Sequence, residues 1–326
     1  MKNVLFISTT FNSYYKSIIC EFEKKGYAVD WFSDRPSNSI FTRALIRVNK
    51  NILKNKIKKY EQEILQRCIS KTYDIVFVIL GQSFSEDFWE KLRLIQSNAK
   101  FIYYTWDSVA NFPCIEKNIK YFDYAYCFDK RDSKKFSCSF LPLFYIDDFK
   151  NIDCDIKYDF SYIGTIKPQR YQKINDLIKK LESNGYNGFK YFYLHSKVVL
   201  FYYKLKYRSE FKRLKSKQVK FKYLPKSECA QVESQSKFIL DMPQKNQEGL
   251  TIRTFEALAL KRKLITTNHD IINYDFYDRS NIYVVKDNYI DFNDVFFTSD
   301  YKELSSEIYE KYSISSWLDK ILEGAK

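Results

Sequence analysis

Two glutamates eight positions apart, Glu248 and Glu256, frame the segment Glu248-Gly249-Leu250-Thr251-Ile252-Arg253-Thr254-Phe255-Glu256, whose residue types suit a phosphorylated ligand. Thr251 has the type expected at a helix N-cap. The spacing after it predicts a helix with Arg253 in its first turn and Glu256 further in. The start of such a helix offers free N–H groups, here of Ile252, Arg253 and Thr254, and a partial positive charge, so a diphosphate can dock there. Arg253 would add a charge-assisted contact. Glu256, about a turn and a half inside the helix, can accept hydrogen bonds from a ribose on one side of the diphosphate, while Glu248 in the loop reaches sugar hydroxyls on the other. Two glutamates at this spacing also arise by chance as a solvated pair. The strand-loop-helix setting, Gly249 and the alanine-rich helix face are what give them weight.

A second stretch with chemistry is Tyr162-Ile163-Gly164-Thr165-Ile166-Lys167-Pro168-Gln169-Arg170. A strand that ends in Gly164 and is followed by Lys167 and Arg170 can bring backbone and two cations onto a leaving diphosphate; the alternative is an ordinary loop with solvated charges. Asp107, in Thr105-Trp106-Asp107-Ser108 after the fourth strand, is the strongest candidate in the first half for a polar group at a ligand site, because strand carboxyl ends line such sites; it can equally be a turn or cap residue. The two histidines, His195 and His269, have no Cys or Ser nucleophile motif around them. The Asp-x-Asp at Asp153 and Asp155 lies in a linker, so no metal site is expected.

These groups need a scaffold, and the pattern supplies one. Apolar runs at 3–8, 27–32, 73–80, 100–105, 124–128 and 140–144 read as parallel strands, with helical spacing between them, as over 85–98. After a polar linker near 150–158, a second series begins: strands at 159–164, 190–194, 219–223, 238–241, 263–267 and 281–285, and helices at 169–183, 227–236 and 251–261. A helix over 303–322 follows. The expectation is an α/β protein of two doubly wound, Rossmann-like units.

Residues Val219 to Asn268 resemble the carboxyl-terminal domain of GT-B glycosyltransferases, particularly retaining enzymes with a Glu, seven residues, then Glu. Glu248 and Glu256 match that motif, with Gly249 and Glu256-Ala257-Leu258-Ala259 in register; Tyr223-Leu224-Pro225-Lys226-Ser227-Glu228 and Phe238-Ile239-Leu240-Asp241 look like the same domain. The run Arg253-Thr254-Phe255-Glu256-Ala257 is closer to the CgeB-like and surface-polysaccharide branch. The resemblance departs at Thr251, where relatives usually carry a second Gly, and at Lys261, where a Gly usually ends the helix. It implies two domains facing across a cleft: residues 1–150 for the acceptor, 151–302 for the nucleotide-sugar, and a terminal helix at 303–326 packing back on the first. It also implies roles. Glu248, Asp107 and Arg170 would act at the reacting centre, and Gly164, Lys167, Arg170, Gly249, Thr251, Arg253, Thr254 and Glu256 would bind the donor. The donor would be a UDP- or GDP-linked sugar, with no further cofactor, and the acceptor a glycan or lipid-linked glycan of a surface polysaccharide such as lipopolysaccharide or capsule.

Charge and composition bear on the partners. In 326 residues, 54 Lys+Arg against 40 Asp+Glu leave a net charge of +14, and 45 % apolar content excludes an extended disordered chain. The seven scattered cysteines form no C-x-x-C pair, which argues for a reducing compartment, the cytoplasm. Residues 41–60 hold seven Lys/Arg and no acid, with apolar residues at helical intervals, and predict a basic amphipathic helix lying on the anionic inner face of the plasma membrane. Residues 197–222 repeat that richness with ten basic residues and one acid among Phe, Tyr and Leu. Basic-aromatic interleaving can also bind single strands, but no recognisable nucleic-acid module is present. The competing expectation is a non-enzymatic basic binding protein on the same fold.

Overall fold

A computed structural model of the chain describes residues 1–39, 42, 46, 50–211, 214–244 and 247–324. They form two compact units, Met1–Leu143 with Ile314–Lys326, and Phe144–Ser313.

The first unit is a six-stranded parallel sheet of β1 (Lys2–Ser8), β2 (Tyr27–Ser33), β3 (Ile75–Ile79), β4 (Lys100–Thr105), β5 (Tyr124–Cys127) and β6 (Ser139–Phe140), ordered β2-β1-β3-β4-β5-β6. Val4 to Ile7 and Val76 to Ile79 are fully buried, as expected where helices cover both faces of a parallel sheet. The strand read at 140–144 is shorter: only Ser139 and Phe140 pair, with Tyr126 and Cys127. The basic helix expected over 41–60 is described from its middle onward. Residues 40, 41, 43–45 and 47–49 lie outside the described residues, and a regular helix runs over Lys54–Ile69. Its Ile57, Ile64 and Cys68 face the unit's own core, while Lys54, Lys58 and Lys59 are exposed.

The second unit holds β7 (Tyr158–Thr165), β8 (Gly188–Tyr193), β9 (Val219–Lys220), β10 (Ser236–Asp241), β11 (Lys263–Thr266) and β12 (Ile282–Val284), all parallel, in the order β12-β11-β10-β7-β8-β9. The strand order therefore reverses between β7 and β10, and ligands of open α/β sheets bind beyond the strand carboxyl ends at such a point.

The tail differs from the single helix read at 303–322. It forms two helices, Ser306–Lys311 and Ile314–Glu323, divided at Tyr312 and Ser313, where the main chain pairs with Tyr145. That pairing keeps residues 303–313 in the second unit and moves the boundary from 150 to Leu143. The last helix packs on the first unit: Trp317 lies 6.0 Å from the Phe77 ring and 5.0 Å edge-on to Tyr104, and Lys25 Nζ reaches Asp319 at 2.8 Å.

The helix Ile252–Ala259 ends where the sequence has Lys261 in place of a glycine. Lys261 takes a left-handed φ of 52°, its N–H donating to the Leu258 carbonyl at 3.1 Å and that of Arg262 to Ala257 at 3.0 Å, a Schellman closure. Lysine in this conformation costs about 1–2 kcal/mol, against roughly 0.5–1 kcal/mol of extra unfolded-chain freedom for glycine. The exposed Lys261 to Glu303 ion pair adds little. Lys261→Gly is therefore expected to stabilise the protein by ~0.5–1 kcal/mol in urea unfolding; a lower midpoint would contradict the left-handed cap.

Candidate functional site

The loops that leave β7 and β10 meet at the reversal point. Lys167 Nζ donates to Gln244 Oε1 at 2.7 Å, tying the loop after β7 to the loop after β10. Arg170 sits at the start of the helix Tyr171–Ser183, half-buried, and its buried Nε makes no hydrogen bond. An unsatisfied buried donor costs about 1–3 kcal/mol, which an anionic ligand oxygen would offset. Between the loops lies Asp241, the last residue of β10, 2 % exposed, accepting from Thr251 Oγ1 at 2.8 Å. Burial holds its pKa above the usual carboxylate range, opposed chiefly by the charge of Arg170.

Gly164 has a packing reason. A Cβ there would fall 2.4 Å from the Tyr162 hydroxyl oxygen, so only glycine lets this ring lie back along β7. Burial raises the Tyr162 pKa, with Arg170 acting against it, which places the phenol beside that guanidinium. Gly164 thus sets the wall next to Arg170, a role the strand-ending glycine did not disclose in the sequence.

Ahead of the helix Ile252–Ala259, Glu248 is exposed while Gly249 and Leu250 are buried. Asn268 pins this loop: its Nδ2 donates to the Glu248 carbonyl at 2.9 Å and the Gly249 carbonyl at 3.4 Å. Its Oδ1 accepts from Asp270 N–H at 3.0 Å, so one carboxamide joins the β11 exit to the glutamate loop. Thr251 occupies the N-cap position with extended backbone, but its hydroxyl does not cap the helix; it is drawn to Asp241. The N–H of Thr254, expected to be free for phosphate, donates to the Thr251 carbonyl at 3.1 Å, and the buried Thr254 hydroxyl makes no hydrogen bond. An anion at this helix start would therefore have to use the turn before Thr254.

Arg253 is engaged with protein carboxylates. It pairs with Glu233 and, at 2.8 Å, with Glu256, and its Nη2 donates to the Ile163 carbonyl at 3.3 Å. Glu233 lies on the helix Lys226–Ser234 and is fully buried. Glu256 is 1 % exposed. The glutamate expected at a ribose is thus held from behind by Arg253, and a diphosphate contact from Arg253 would require that guanidinium to exchange a partner. One cation between two buried carboxylates leaves an excess negative charge. Burial, aided by the charge of Glu256, pushes the Glu233 pKa up to about 8, although Arg253 opposes it.

That shift fixes a pH dependence. The folded state keeps the Glu233 proton above the ordinary 4.5 of the unfolded chain, so it binds more protons between about 4.5 and about 8. The contribution of this group is complete below that window and is lost as pH rises through it. The urea midpoint of the parent is expected to fall between pH 5 and pH 8.5, and Glu233→Gln to flatten that fall. An unchanged slope would assign the titration elsewhere.

Glu248, Gly249, Thr251, Arg253, Thr254, Glu256, Gly164, Lys167 and Arg170 all belong to the second unit, whereas Asp107 lies two residues past β4 in the first, half-buried. Asp241, Asn268 and Glu233 join the site without having been singled out. A polar residue closing the apolar run Phe238 to Leu240 was a readable signal for Asp241; the other two had none. His195 and His269 are exposed, His195 beside the Tyr193 hydroxyl at 3.1 Å. Among the described residues no three His, Cys, Asp or Glu cluster to hold a metal ion, and no helix is long and apolar enough to cross a membrane.

No protein-family profile and no curated protein matches the chain. Solved structures do. The lipopolysaccharide outer core galactosyltransferase WaaB, in its apo form, superposes with a TM-score of 0.61 at 15 % identity over 99 % of this chain and 100 % of its own. HepE of Anabaena, in complex with UDP-glucose, gives 0.63 at 11 % identity over 99 % of both chains. The catalytic domain of starch synthase IV from Arabidopsis thaliana, bound to ADP and acarbose, gives 0.61 at 8 % identity over 99 % of both. Two parallel six-stranded sheets with flanking helices give this chain the GT-B fold of these glycosyltransferase structures.

Proposed function

We propose that the chain is a nucleotide-sugar-dependent glycosyltransferase that moves a sugar from a UDP- or GDP-linked donor to a glycan or lipid-linked glycan of a surface polysaccharide, with retention of anomeric configuration and without a metal. The observation that carries the reading is the reversal point between β7 and β10, where Lys167 and Arg170 leave one strand and the glutamate loop and the start of the helix Ile252–Ala259 leave its neighbour. Breaking the bond between the anomeric carbon and the diphosphate leaves an electron pair on phosphate oxygen. Lys167, Arg170 and the helix start are the groups to stabilise that charge. In this reading Glu248, which is exposed, meets the sugar hydroxyls, Glu256 the ribose, and Asp107 the acceptor. No carboxylate nucleophile is then required. A lipid-linked acceptor confines the enzyme to the inner membrane face, where the basic surface would hold it.

Calorimetry and thermal shift with UDP, GDP, CMP and their sugar conjugates test the reading. A ligand at 100 times its dissociation constant adds about 2.7 kcal/mol to stability, so the matching nucleotide should raise the melting temperature clearly. If none of them binds, the alternative of a non-enzymatic basic binding protein on this fold takes its place.

A further inference from the structure

The helix Lys197–Lys206 turns its most apolar side outward. Val198, Phe201, Tyr202 and Leu205 are 76, 64, 48 and 50 % exposed. At 100° per residue they fall within about 100° of one another, a single stripe of the width that normally faces a core. Here the core is served by the other side: Leu200 is buried, and Val199 and Tyr203 pack partly against the same cluster. By the same geometry Lys197 and Lys204 border the stripe on one edge and Lys206 on the other, the Lys206 ammonium lying 5.5 Å over the Tyr202 ring. A contiguous exposed apolar strip with a cationic rim marks a docking surface.

We propose that this helix docks on an anionic lipid bilayer, burying Val198, Phe201, Tyr202 and Leu205 at the acyl boundary while Lys197, Lys204 and Lys206 meet the headgroup phosphates. The proposal deepens the membrane-surface part of the function proposed above and rests on it. Charge selects the occupant. A second copy of the chain would bring lysines against lysines, and a single-stranded nucleic acid has no use for Val198 and Leu205, which offer no ring for a base to stack on. The helix Lys54–Ile69 contrasts with it. Its Ile57, Ile64 and Cys68 are turned inward, and exposed Ile52 and Ile69 stand singly at its two ends without forming a stripe, so its exposed lysines contribute chiefly a salt-screened attraction.

The test is co-sedimentation of the full chain with vesicles of phosphatidylglycerol and phosphatidylcholine in equal parts, at low and high salt. The parent should bind and keep part of its binding at high salt. Val198→Ser/Phe201→Ser/Leu205→Ser should lose the salt-resistant part and at least about tenfold in partitioning, with its melting temperature unchanged because the three side chains are exposed. Lys54→Glu/Lys58→Glu/Lys59→Glu should lose only low-salt binding. Equal sedimentation of the serine variant and the parent would overturn the inference alone; absence of parent binding would overturn the membrane reading with it. A serine variant altered only in oligomeric mass, or only in binding a single-stranded oligonucleotide, would also overturn it.

Discussion

Arg253→Met is expected to destabilise the second unit by about 3–5 kcal/mol in urea unfolding, the cost typical of removing one partner from a buried ion pair. The physical reason is the imbalance already present around this residue. Glu233 and Glu256 are both buried, Arg253 is the guanidinium that pairs with them, and it also satisfies the Ile163 carbonyl at the end of β7. Methionine keeps most of the length of the side chain and removes the charge, so the two carboxylates must take up protons or draw water inward. The effect is therefore larger at pH 8 than at pH 5. Adding Glu233→Gln to Arg253→Met should recover part of the loss, and the double-mutant cycle reports the coupling between the two. An unchanged midpoint for Arg253→Met would show that the cluster does not hold the unit together.

The strands were legible because both sheets are parallel and their inner strands are buried on each face, which writes those as short continuous apolar runs: each of the twelve falls within or beside a run such as 3–8, 73–80 or 238–241. Their order was not. Nothing local in Asp159 to Gly164 says that β10, more than seventy residues later, will lie beside it, yet that adjacency creates the reversal point and brings Lys167 to Gln244. The helix bearing Arg253 and Glu256 was readable from its spacing, but the partner that orients Arg253 was not, because Glu233 sits on a helix whose buried face is marked by Cys229, Ala230 and Ser234 rather than by a stripe of large apolar residues. Thr251 shows the same limit at closer range. Its residue type gave the cap position correctly, and only the neighbouring strand end decides that its hydroxyl goes to Asp241. The tail was read as one helix, and nothing local announces that main-chain pairing of Tyr312 and Ser313 with Tyr145 divides it in two.

On the proposed function, Glu248→Ala and Glu256→Ala should separate transfer from nucleotide binding. Glu248 is exposed, and its loop is fixed through backbone carbonyls by Asn268, so truncating its side chain leaves both the fold and the nucleotide contacts in place. Sugar transfer should fall by roughly ten- to a hundredfold, the worth of about 1.5–3 kcal/mol for a lost hydrogen bond to a charged group, while the affinity for free nucleoside diphosphate stays at the parent value. Glu256→Ala acts on the other side. It leaves Arg253 paired with Glu233, so the ion cluster survives and the nucleotide affinity falls by a similar factor. Asn268→Ala provides an independent check, since it frees the loop while leaving both glutamate side chains in place: turnover should drop while the affinity for the nucleotide alone changes little. Calorimetry with the nucleotide and a product-release assay with its sugar conjugate measure the two quantities separately. If Glu248→Ala and Glu256→Ala both kept full turnover with an unchanged melting temperature, the two glutamates would have no part in the donor site.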